Sequence, residues 1–319
     1  MHNDPATGLP PEGAARLTDW GLIRVSGPDA RSFLHGQLTQ DVLQLSPGRA
    51  ALAGYCSPKG RLLATFVAWI DRGDDVLLAC SADVLPATLK RLSMFVMRAR
   101  CKLADASHEL ETWGVAGPAS LRALGLAAEQ PAWHVAPAGG ATAITLPPAL
   151  VAGQDCPRAL LLVAPGAAEP QGLAPLPLPA WQALEACSGV VRVVAATSDQ
   201  FVPQMVNFEQ VGGVNFKKGC YPGQEVVARS QYRGTTKRRA FLMQADAPMT
   251  PGQEIFSAND PEQPAGLVAL AGTLSAHDHV ALIEAKLAAV EAGALHVGRA
   301  DGPLLRPAPL PYELVEDVT

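Results

Sequence analysis

The apolar positions in the N-terminal part of the chain form short runs interrupted by turn residues, a pattern typical of antiparallel strands. Residues 62–70 and 76–80 predict two neighbouring strands, because the polar turn 71–74 joins them. Residues 85–96 place their apolar side chains at helical spacing, and another helix is predicted over 179–188. Strands and helices are therefore mixed, and the predicted fold class is α+β.

A weak internal repeat relates the beginning of the chain to its middle. Residues 20–34 and 113–124 each contain a short apolar strand followed by Gly-Pro at the start of a helix. A proline at the first helical position costs nothing, because its missing N–H would have no partner there. The repeat predicts two similar lobes, and the alternative is a chance similarity between two common strand-to-helix turns.

Two proline-rich segments separate the later elements. Proline cannot donate a backbone hydrogen bond and breaks regular structure. Residues 131–148 and 165–179 are therefore predicted to be surface connections.

The pattern changes after residue 239, where short apolar runs alternate with turn residues and predict a small antiparallel barrel. These runs are residues 240–244, 254–256, 265–270, 279–283 and 294–297. Residues 281–291 create a conflict, because they are rich in good helix formers whereas a barrel requires a strand at their start. We favour the strand, since tertiary context commonly overrides local propensity.

Composition and charge narrow the class of protein. The chain has 319 residues, of which 48% are hydrophobic and 17% are charged, so two or three folded domains are expected. The formal net charge of −5 argues against broad nucleic-acid binding through bulk charge.

The basic residues are concentrated in one segment. Between residues 217 and 239 there is a single acid, Glu225, among seven cations that could meet a polyanion. From charge alone, a solvated helix face is the favoured alternative. The cations are Lys217, Lys218, Arg229, Arg233, Lys237, Arg238 and Arg239.

Cysteine spacing and missing motifs exclude several classes. The six cysteines form no C-x-x-C pair, which argues against a structural zinc site and a disulfide framework. There is no G-x-S-x-G, no G-x-G-x-x-G fingerprint after a strand and no H-E-x-x-H, so serine-hydrolase, dinucleotide and zinc-protease chemistry lack their first requirement. Neither a secretory signal nor a stretch approaching 18 uninterrupted apolar residues is present. We expect a cytoplasmic protein without membrane contact.

Residues 217–225 are the most informative stretch of the chain. Pro222 and Gly223 suit the two central positions of a type II turn, and residues 224–233 predict a helix that Gly234 ends. Cys220 therefore lies close to a helix N-terminus and to two lysines, which favours thiolate over thiol. We hypothesise a reactive or ligand-forming sulfur, and the alternative is a small apolar residue under a loop.

This stretch belongs to a longer motif that resembles the signature of the YgfZ family of folate-binding proteins, which are relatives of the aminomethyltransferase T-protein of glycine cleavage. Similarity to other family motifs extends over essentially the whole chain. The matching segments are residues 33–42, 56–61, 201–204, 212–213, 218–229, 232–234, 237–239 and 310–312.

The resemblance implies a T-protein-like architecture and a function. The fold would have two similar α/β lobes with antiparallel sheets in residues 1–239, at about 1–110 and 111–239, with their interleaving left open. A C-terminal β-barrel would occupy residues 240–319. The implied function is a tetrahydrofolate-binding accessory protein for iron–sulfur enzymes, with an indirect role in tRNA modification. Its implied partners are folate, iron–sulfur client or assembly proteins and tRNA-modifying enzymes, and we expect a monomer that binds no metal itself.

The resemblance also assigns candidate site residues. Cys220 is the candidate catalytic thiol, while Lys217, Lys218 and Arg229 would hold an anionic ligand beside it. Gln224 and Glu225 would fix the turn and helix start, with simple local capping as the alternative. The ligand-binding candidates are Lys217, Lys218, Tyr221, Gln224, Glu225, Arg229, Gln37, Asp41 and Glu185.

The chain departs from the family at the expected folate anchor. The helix before the signature usually carries a Glu that binds the pterin ring, because a carboxylate accepts two parallel N–H bonds. When Trp181 and Gly189 are matched to the family, Cys187 stands at that position. Glu185 lies two residues earlier, which on a helix faces roughly the opposite way. Either the backbone brings Glu185 round, or folate is anchored less well or not at all.

Two other functions remain open. A true aminomethyltransferase or folate-linked demethylase would need mainly correct positioning of the folate nitrogen. The cysteine-bearing signature and the missing Glu argue against it. A non-catalytic RNA-binding module would use the basic segment, which has Phe216, Tyr221 and Tyr232 for base stacking. The sequence leaves open whether any reaction is catalysed.

Overall fold

Two five-stranded antiparallel sheets and a closed barrel make up the fold. The computed structural model describes residues 10–315, apart from 72, 128, 167–169, 171 and 235. Both sheets and the barrel confirm the predicted α+β class and the predicted terminal antiparallel barrel.

The first sheet contains the two strands predicted on either side of the turn at 71–74. Its strands pair antiparallel in the order β3-β4-β5-β2-β6, and the helix predicted over 85–96 is α2. Its core is a cluster that includes Phe66 and Leu34. The elements are β2 (Trp20–Ser26), α1 (Ala30–His35), a 3-10 helix (Val42–Gln44), β3 (Ala51–Cys56), β4 (Leu62–Ile70), β5 (Val76–Ser81), α2 (Leu85–Met94) and β6 (Lys102–Asp105).

The second sheet repeats the order of the first. Its strands run β8-β9-β10-β7-β1, so each lobe places its first strand beside its fourth, and only the outermost strand differs in origin. That strand is β6 in the first sheet, whereas in the second sheet β1 comes from the beginning of the chain. The elements are β1 (Gly13–Arg16), β7 (Glu111–Ala116), α3 (Pro118–Ala123), β8 (Val135–Ala138), β9 (Ala141–Val151) and β10 (Gln154–Val163).

The prediction of a connection over residues 131–148 is wrong, because β8 and most of β9 lie there. Pro137 is tolerated because β8 is an edge strand of the sheet. Pro147 and Pro148 lie where the register between β9 and β10 shifts, in a bulge that leaves ladder bonds unmade. Their missing N–H groups therefore cost no sheet hydrogen bonds.

Helix α4 (Leu178–Cys187) packs at the centre of the molecule. It contacts the barrel strands β13 (Asp260–Ser275) and β14 (Asp278–Lys286) on one side and β9 on the other. Trp181 is fully buried against Gly114 of the second sheet, where an added Cβ would lie 2.4 Å from the indole. The helix predicted over 179–188 is confirmed, and it joins the second lobe to the barrel.

The C-terminal part closes into a six-stranded antiparallel barrel in the order β11-β14-β13-β12-β15-β16. The conflict at residues 281–291 is resolved in favour of a strand, because β14 runs to Lys286 before the short helix α6 begins. The last strand, β16, was not predicted. The elements are β11 (Arg238–Ala245), β12 (Glu254–Ser257), β13 (Asp260–Ser275), β14 (Asp278–Lys286), α6 (Leu287–Glu291), β15 (Leu295–Val297) and β16 (Leu304–Ala308).

The segment between α4 and β11 carries the signature. It contains two 3-10 helices, at Ala195–Thr197 and Pro203–Val206, and the helix α5 (Gln224–Arg233), which spans the predicted residues. Among the described residues, no helix is long and apolar enough to cross a membrane.

Candidate functional site

The signature turn has the predicted geometry. Gly223 adopts φ +78°, and the N–H of Gln224 donates to the carbonyl oxygen of Tyr221 at 3.2 Å, as in a type II turn. A Cβ on Gly223 would lie 2.3 Å from the carbonyl oxygen of Ser57 and 2.7 Å from Gly60. The turn is therefore packed backbone to backbone against the loop that follows β3.

Lys218 fastens the signature to the first lobe. Its ammonium, on a residue only 9% exposed, donates to the carbonyl oxygen of Leu38 at 2.8 Å and also to that of His35. It lies 5.0 Å from the centre of the Tyr221 ring, a cation–π contact. Burial lowers the pKa of Lys218 to about 8. Lys218 thus uses most of its donors within the protein, while Lys217 is exposed.

Cys220 is exposed on the shoulder of this turn. The other cysteines differ, because burial raises the pKa of Cys56, Cys80 and Cys187 to about 12 and that of Cys156 to about 11. Such thiols are protonated at neutral pH and sterically shielded.

A histidine that the sequence analysis missed lies beside the signature. Nδ1 of His35 is 3.0 Å from Oδ1 of Asp41, and a Cβ on Gly219 would lie 3.3 Å from Nε2 of His35. Asp41 also accepts from the N–H of Leu43 at 3.1 Å, so it caps the short 3-10 helix that follows it. Residues 35 and 219 are far apart in sequence, and no sequence pattern predicts that they lie close together.

Gln37 lies between His35 and Leu38 in the chain and is half-buried. Its Oε1 is buried and has no hydrogen-bond partner among the described residues. The first lobe therefore contributes Gln37 and Asp41 to the surroundings of the signature.

The basic segment divides into buried and exposed cations. Arg238 pairs with Glu284, and Arg239 pairs with Glu209. Helix α5 presents Tyr232, which is 70% exposed and makes an edge contact with Phe216 at 5.8 Å between ring centres. The exposed cations are Lys217, Arg229, Arg233 and Lys237, and the exposed acid of α5 is Glu225.

A second feature is the central cavity, which lies between the two sheets and α4 and has about 430 Å³ of empty space out to its mouth. Its walls include the aromatic residues Trp20 and Trp133, whereas Phe66 belongs to the core on the other face of the first sheet. Its polar side chains are Thr65, Arg158, Glu185, Ser188 and Arg192.

The Glu185–Arg192 pair forms the polar side of this cavity. Nε and Nη2 of Arg192 donate to Oε1 and Oε2 of Glu185, each at 2.9 Å, and Nη2 also donates to Asp19 at 2.8 Å. Although burial opposes it, the two carboxylates raise the pKa of Arg192. Glu185 and Arg192 also line a neighbouring cavity with Asp19 and Ser81, so the ion pair is the partition between the two spaces.

Cys187 faces a different space from Glu185. It lines a larger cleft of about 1870 Å³ between the second sheet and the barrel, together with Gln244 and Asp278. The expectation that Glu185 and position 187 point in different directions is therefore confirmed. Glu185 is the carboxylate of α4 that reaches the central cavity.

The signature and the central cavity are linked through a shared wall. A fourth space, a cleft of about 720 Å³, is lined by Asp41 and by Asn215, which lies shortly before Lys218, and it shares Leu52 and Trp133 with the central cavity. Cys220 lines none of the cavities described here. The predicted site residues therefore form two neighbouring groups.

Arg158 and Arg192 are cavity residues that the sequence analysis missed. Arg158 immediately precedes the apolar run of β10, and a charge at the edge of a buried strand is a signal that could have found it. In the described part of the chain no group of three or more His, Cys, Asp or Glu could hold a metal ion.

Known proteins that are similar to this chain agree with the family resemblance and with the fold. No family model matches the chain. A curated relative, tRNA-modifying protein YgfZ of Edwardsiella ictaluri (strain 93-146), is 32% identical over 263 residues, covering 78% of this chain and 78% of the relative. The glycine cleavage system aminomethyltransferase T of Bartonella henselae superposes with a TM-score of 0.73 at 17% identity, covering 93% of this chain and 85% of that chain. At 17% identity, the likeness to this structure shows the fold alone, and it confirms the predicted T-protein-like architecture.

Proposed function

The chain belongs to the YgfZ family, and from this we propose that it is a tetrahydrofolate-binding accessory protein for the assembly or repair of iron–sulfur enzymes. The proposal makes Cys220 the functional thiol and gives the chain an indirect role in tRNA modification. The relative's name, a tRNA-modifying protein, supports the second part. A tRNA thiolation enzyme that needs an iron–sulfur cluster would connect the two.

The central cavity is the observation that carries the folate part. A pterin ring is flat and edged with donors and acceptors, so it needs apolar walls and a few polar groups. Trp20 and Trp133 supply flat walls, and the buried Nε1 of Trp20 has no acceptor in the described part of the chain. These residues fit a pterin ring. Glu185 stands at the polar side, where Arg192 already occupies both of its oxygens.

The remaining part of a folate would extend toward the signature. The cleft that Asp41 lines adjoins the central cavity, because Leu52 and Trp133 line both. Lys217 and Arg229, both exposed, would meet the carboxylates of the glutamate tail. When bound, tetrahydrofolate supplies or accepts a one-carbon unit. The chain's own residues orient the ring, exclude water from it and place the Cys220 thiol at the surface.

An exposed thiol suits a protein that acts on a partner. A thiolate is both a nucleophile and a cluster ligand. Cys220 lies on a turn that Lys218 and Gly223 hold against the first lobe, so the sulfur is accessible on a fixed support. We propose that the iron–sulfur client or its sulfur carrier meets the chain at this turn.

Calorimetric titration with tetrahydrofolate tests the folate part. A ligand that binds only the folded state stabilises it by about 2.7 kcal/mol at a hundredfold excess over Kd. We expect heat of binding and a raised melting temperature. The absence of both would reject folate as the ligand.

Complementation of a deletion strain tests the thiol. We expect Cys220→Ser to leave iron–sulfur enzyme activity low, whereas the control Cys101→Ser, at a half-buried cysteine of the first lobe, restores it. Full restoration by Cys220→Ser would remove the thiol from the function.

A second candidate function is RNA binding through α5. Its exposed Tyr232 lies between the exposed cations Arg229 and Arg233, an arrangement that suits base stacking beside phosphate contacts. Binding to tRNA that weakens steeply with salt, and that a Tyr232→Ala variant loses, would favour this function.

A further inference from the structure

Arg158 is a buried cation that forms no ion pair with a carboxylate among the described residues, although the charge of Glu185 acts on it from a distance. Only 2% of the residue is exposed, and its Nε and Nη2 both donate to the carbonyl oxygen of Pro147, at 3.3 and 2.9 Å. Its guanidinium carbon lies 5.4 Å from the centre of the Trp181 ring. Its Nη1 has no hydrogen-bond acceptor among the described residues. Because arginine stays charged in proteins, this position retains a desolvated charge at a cost in stability.

A second unpaired donor lines the same cavity. Arg158 and Trp20 both belong to the wall of the central cavity. The Nε1 of Trp20 is buried and has no acceptor in the described part of the chain. Buried donors without partners are rare in folded proteins, since each costs the full desolvation of the group. The buried Nε1 of Trp20 without a partner, beside the Nη1 of Arg158 that makes no hydrogen bond within the described residues, indicates a ligand that brings acceptors.

The acceptor side chains of this cavity are already engaged. Both oxygens of Glu185 accept from Arg192. The hydroxyl of Thr65 accepts from the N–H of Val193 at 3.0 Å. The hydroxyl of Ser188 likewise accepts a backbone N–H, that of Val190, at 3.3 Å. The cavity therefore offers free donors and few free acceptors.

We propose that Arg158 donates a charge-assisted hydrogen bond to an oxygen on the ring of the bound ligand, so that the cavity selects an oxo-substituted heteroaromatic ring over its amino-substituted counterpart. This inference rests on the proposed function, because it takes a folate as the ligand. Its new content is the residue and the edge of the ring that the residue recognises.

The geometry favours a ring oxygen over a carboxylate of the folate tail. The side-on edge of Arg158, formed by Nε and Nη2, already faces Pro147, so only the end of the guanidinium around Nη1 is left for a ligand. A single acceptor oxygen needs only Nη1. The aromatic residues Trp20 and Trp133 suit a flat ring, and they would desolvate a charged tail at a high cost.

Tetrahydrofolate and tetrahydroaminopterin test the proposal, because they differ by an oxo and an amino group at one ring position. Calorimetry under anaerobic conditions compares both compounds on the wild-type chain and on Arg158→Met, which keeps similar length without charge. We expect the wild-type chain to prefer the oxo compound by about ten- to hundredfold, the usual range for a hydrogen bond to a charged group. Arg158→Met should lose this preference to within a few fold. A preference that survives in Arg158→Met would overturn the proposal.

Arg122→Met is the matched control. Arg122 lies in the same lobe and also donates to a proline carbonyl, that of Pro118, but it is exposed and lines none of the cavities described here. We expect it to leave the oxo preference unchanged. Arg158→Lys, which keeps the charge, should retain part of the preference and provides a second variant if Arg158→Met fails to fold. Loss of the preference in Arg122→Met as well would contradict the assignment.

Tetrahydropteroate, which lacks the glutamate carboxylates, separates the two possible oxygen sources. If Arg158→Met abolishes the affinity gained from the glutamate and keeps the oxo preference, Arg158 binds the tail and the proposal is overturned. Equal binding of the oxo and amino compounds by the wild-type chain overturns it while the proposed folate function stands. If neither compound binds, the folate function itself fails, and this inference fails with it.

Discussion

Glu185 and Cys187 lie two residues apart on α4 and face different cavities. Glu185 reaches the central cavity and pairs with Arg192, whereas Cys187 lines the cleft toward the barrel. The carboxylate that α4 places in the central cavity is therefore held in an ion pair. The groups left to bind a ligand in this cavity are hydrogen-bond donors.

Breaking the buried ion pair should be costly. We expect Arg192→Met to lower the free energy of unfolding by about 3 to 5 kcal/mol, because it leaves the buried Glu185 charge unpaired. The control is Arg306→Met at the exposed Arg306–Asp246 pair, which should change the free energy of unfolding little because solvent screens this pair. Urea denaturation measures both variants. Similar small losses would mean that water reaches the buried pair.

Gly223 should tolerate no side chain. Its φ of +78° and the carbonyl oxygen of Ser57, 2.3 Å from an added Cβ, make Gly223→Ala doubly unfavourable. Gly212→Ala is the control, since Gly212 has φ +80° but open space around its Cβ. We expect hydrogen exchange in α5 to accelerate in the first variant and change little in the second. Equal acceleration would show that the backbone angle, rather than the contact with Ser57, controls the turn.

Lys218 should matter for stability more than Lys217. Lys218→Met removes the donor for the carbonyl oxygens of His35 and Leu38, at a cost of about 1 to 3 kcal/mol for buried groups left without partners. Lys217→Met, at an exposed position, should stay within about 0.5 kcal/mol. Chemical denaturation at neutral pH measures both variants. Equal effects would contradict the conclusion that Lys218 holds the signature against the first lobe.

The same lysine should impose a pH dependence. Burial lowers the pKa of Lys218 in the folded chain to about 8, below its ordinary 10.5. Between these values the unfolded chain binds more protons at this lysine, so its contribution to stability rises as pH increases through that window. Subtracting the stability of Lys218→Met from that of the wild-type chain at pH 7 to 10.5 isolates the contribution. A difference that is flat or falls with pH would contradict the lowered pKa.

Thiol labelling should distinguish Cys220 from the buried cysteines. At neutral pH we expect iodoacetamide to modify Cys220 in the folded chain well before Cys56, Cys80, Cys156 and Cys187, which are buried and have raised pKa values. Mass spectrometry of peptides at increasing times measures the order. If Cys220 reacts no faster than a cysteine in the denatured chain, it is accessible but not activated.

Local signals predicted several elements well. The turn at 221–224 and helix α5 followed from Pro222, Gly223 and the charges that flank them, because backbone preferences of these residues act over a few positions. The residues of β14 form a strand despite their helix propensity, because β11 and β13 of the barrel pair with both edges of β14.

Prolines gave the wrong prediction where pairing decided the outcome. Residues 131–148 form β8 and much of β9, since an edge strand and a bulge both accept residues without an N–H. Whether a strand lies at an edge depends on its neighbours in the sheet, and this information lies outside the segment itself.

The sequence by itself determined the α+β class, the terminal barrel, the signature turn with its helix, and the family to which the chain belongs. These depend on local backbone preferences, on the period of apolar residues and on a long motif. Only the tertiary structure decided that His35 lies beside Gly219, that Arg192 occupies Glu185, and that Arg158 and Trp20 line one cavity. Contacts between residues distant in the chain depend on how α4 packs between the sheets and the barrel, and hydrogen-bond geometry in a buried cavity is set by that packing.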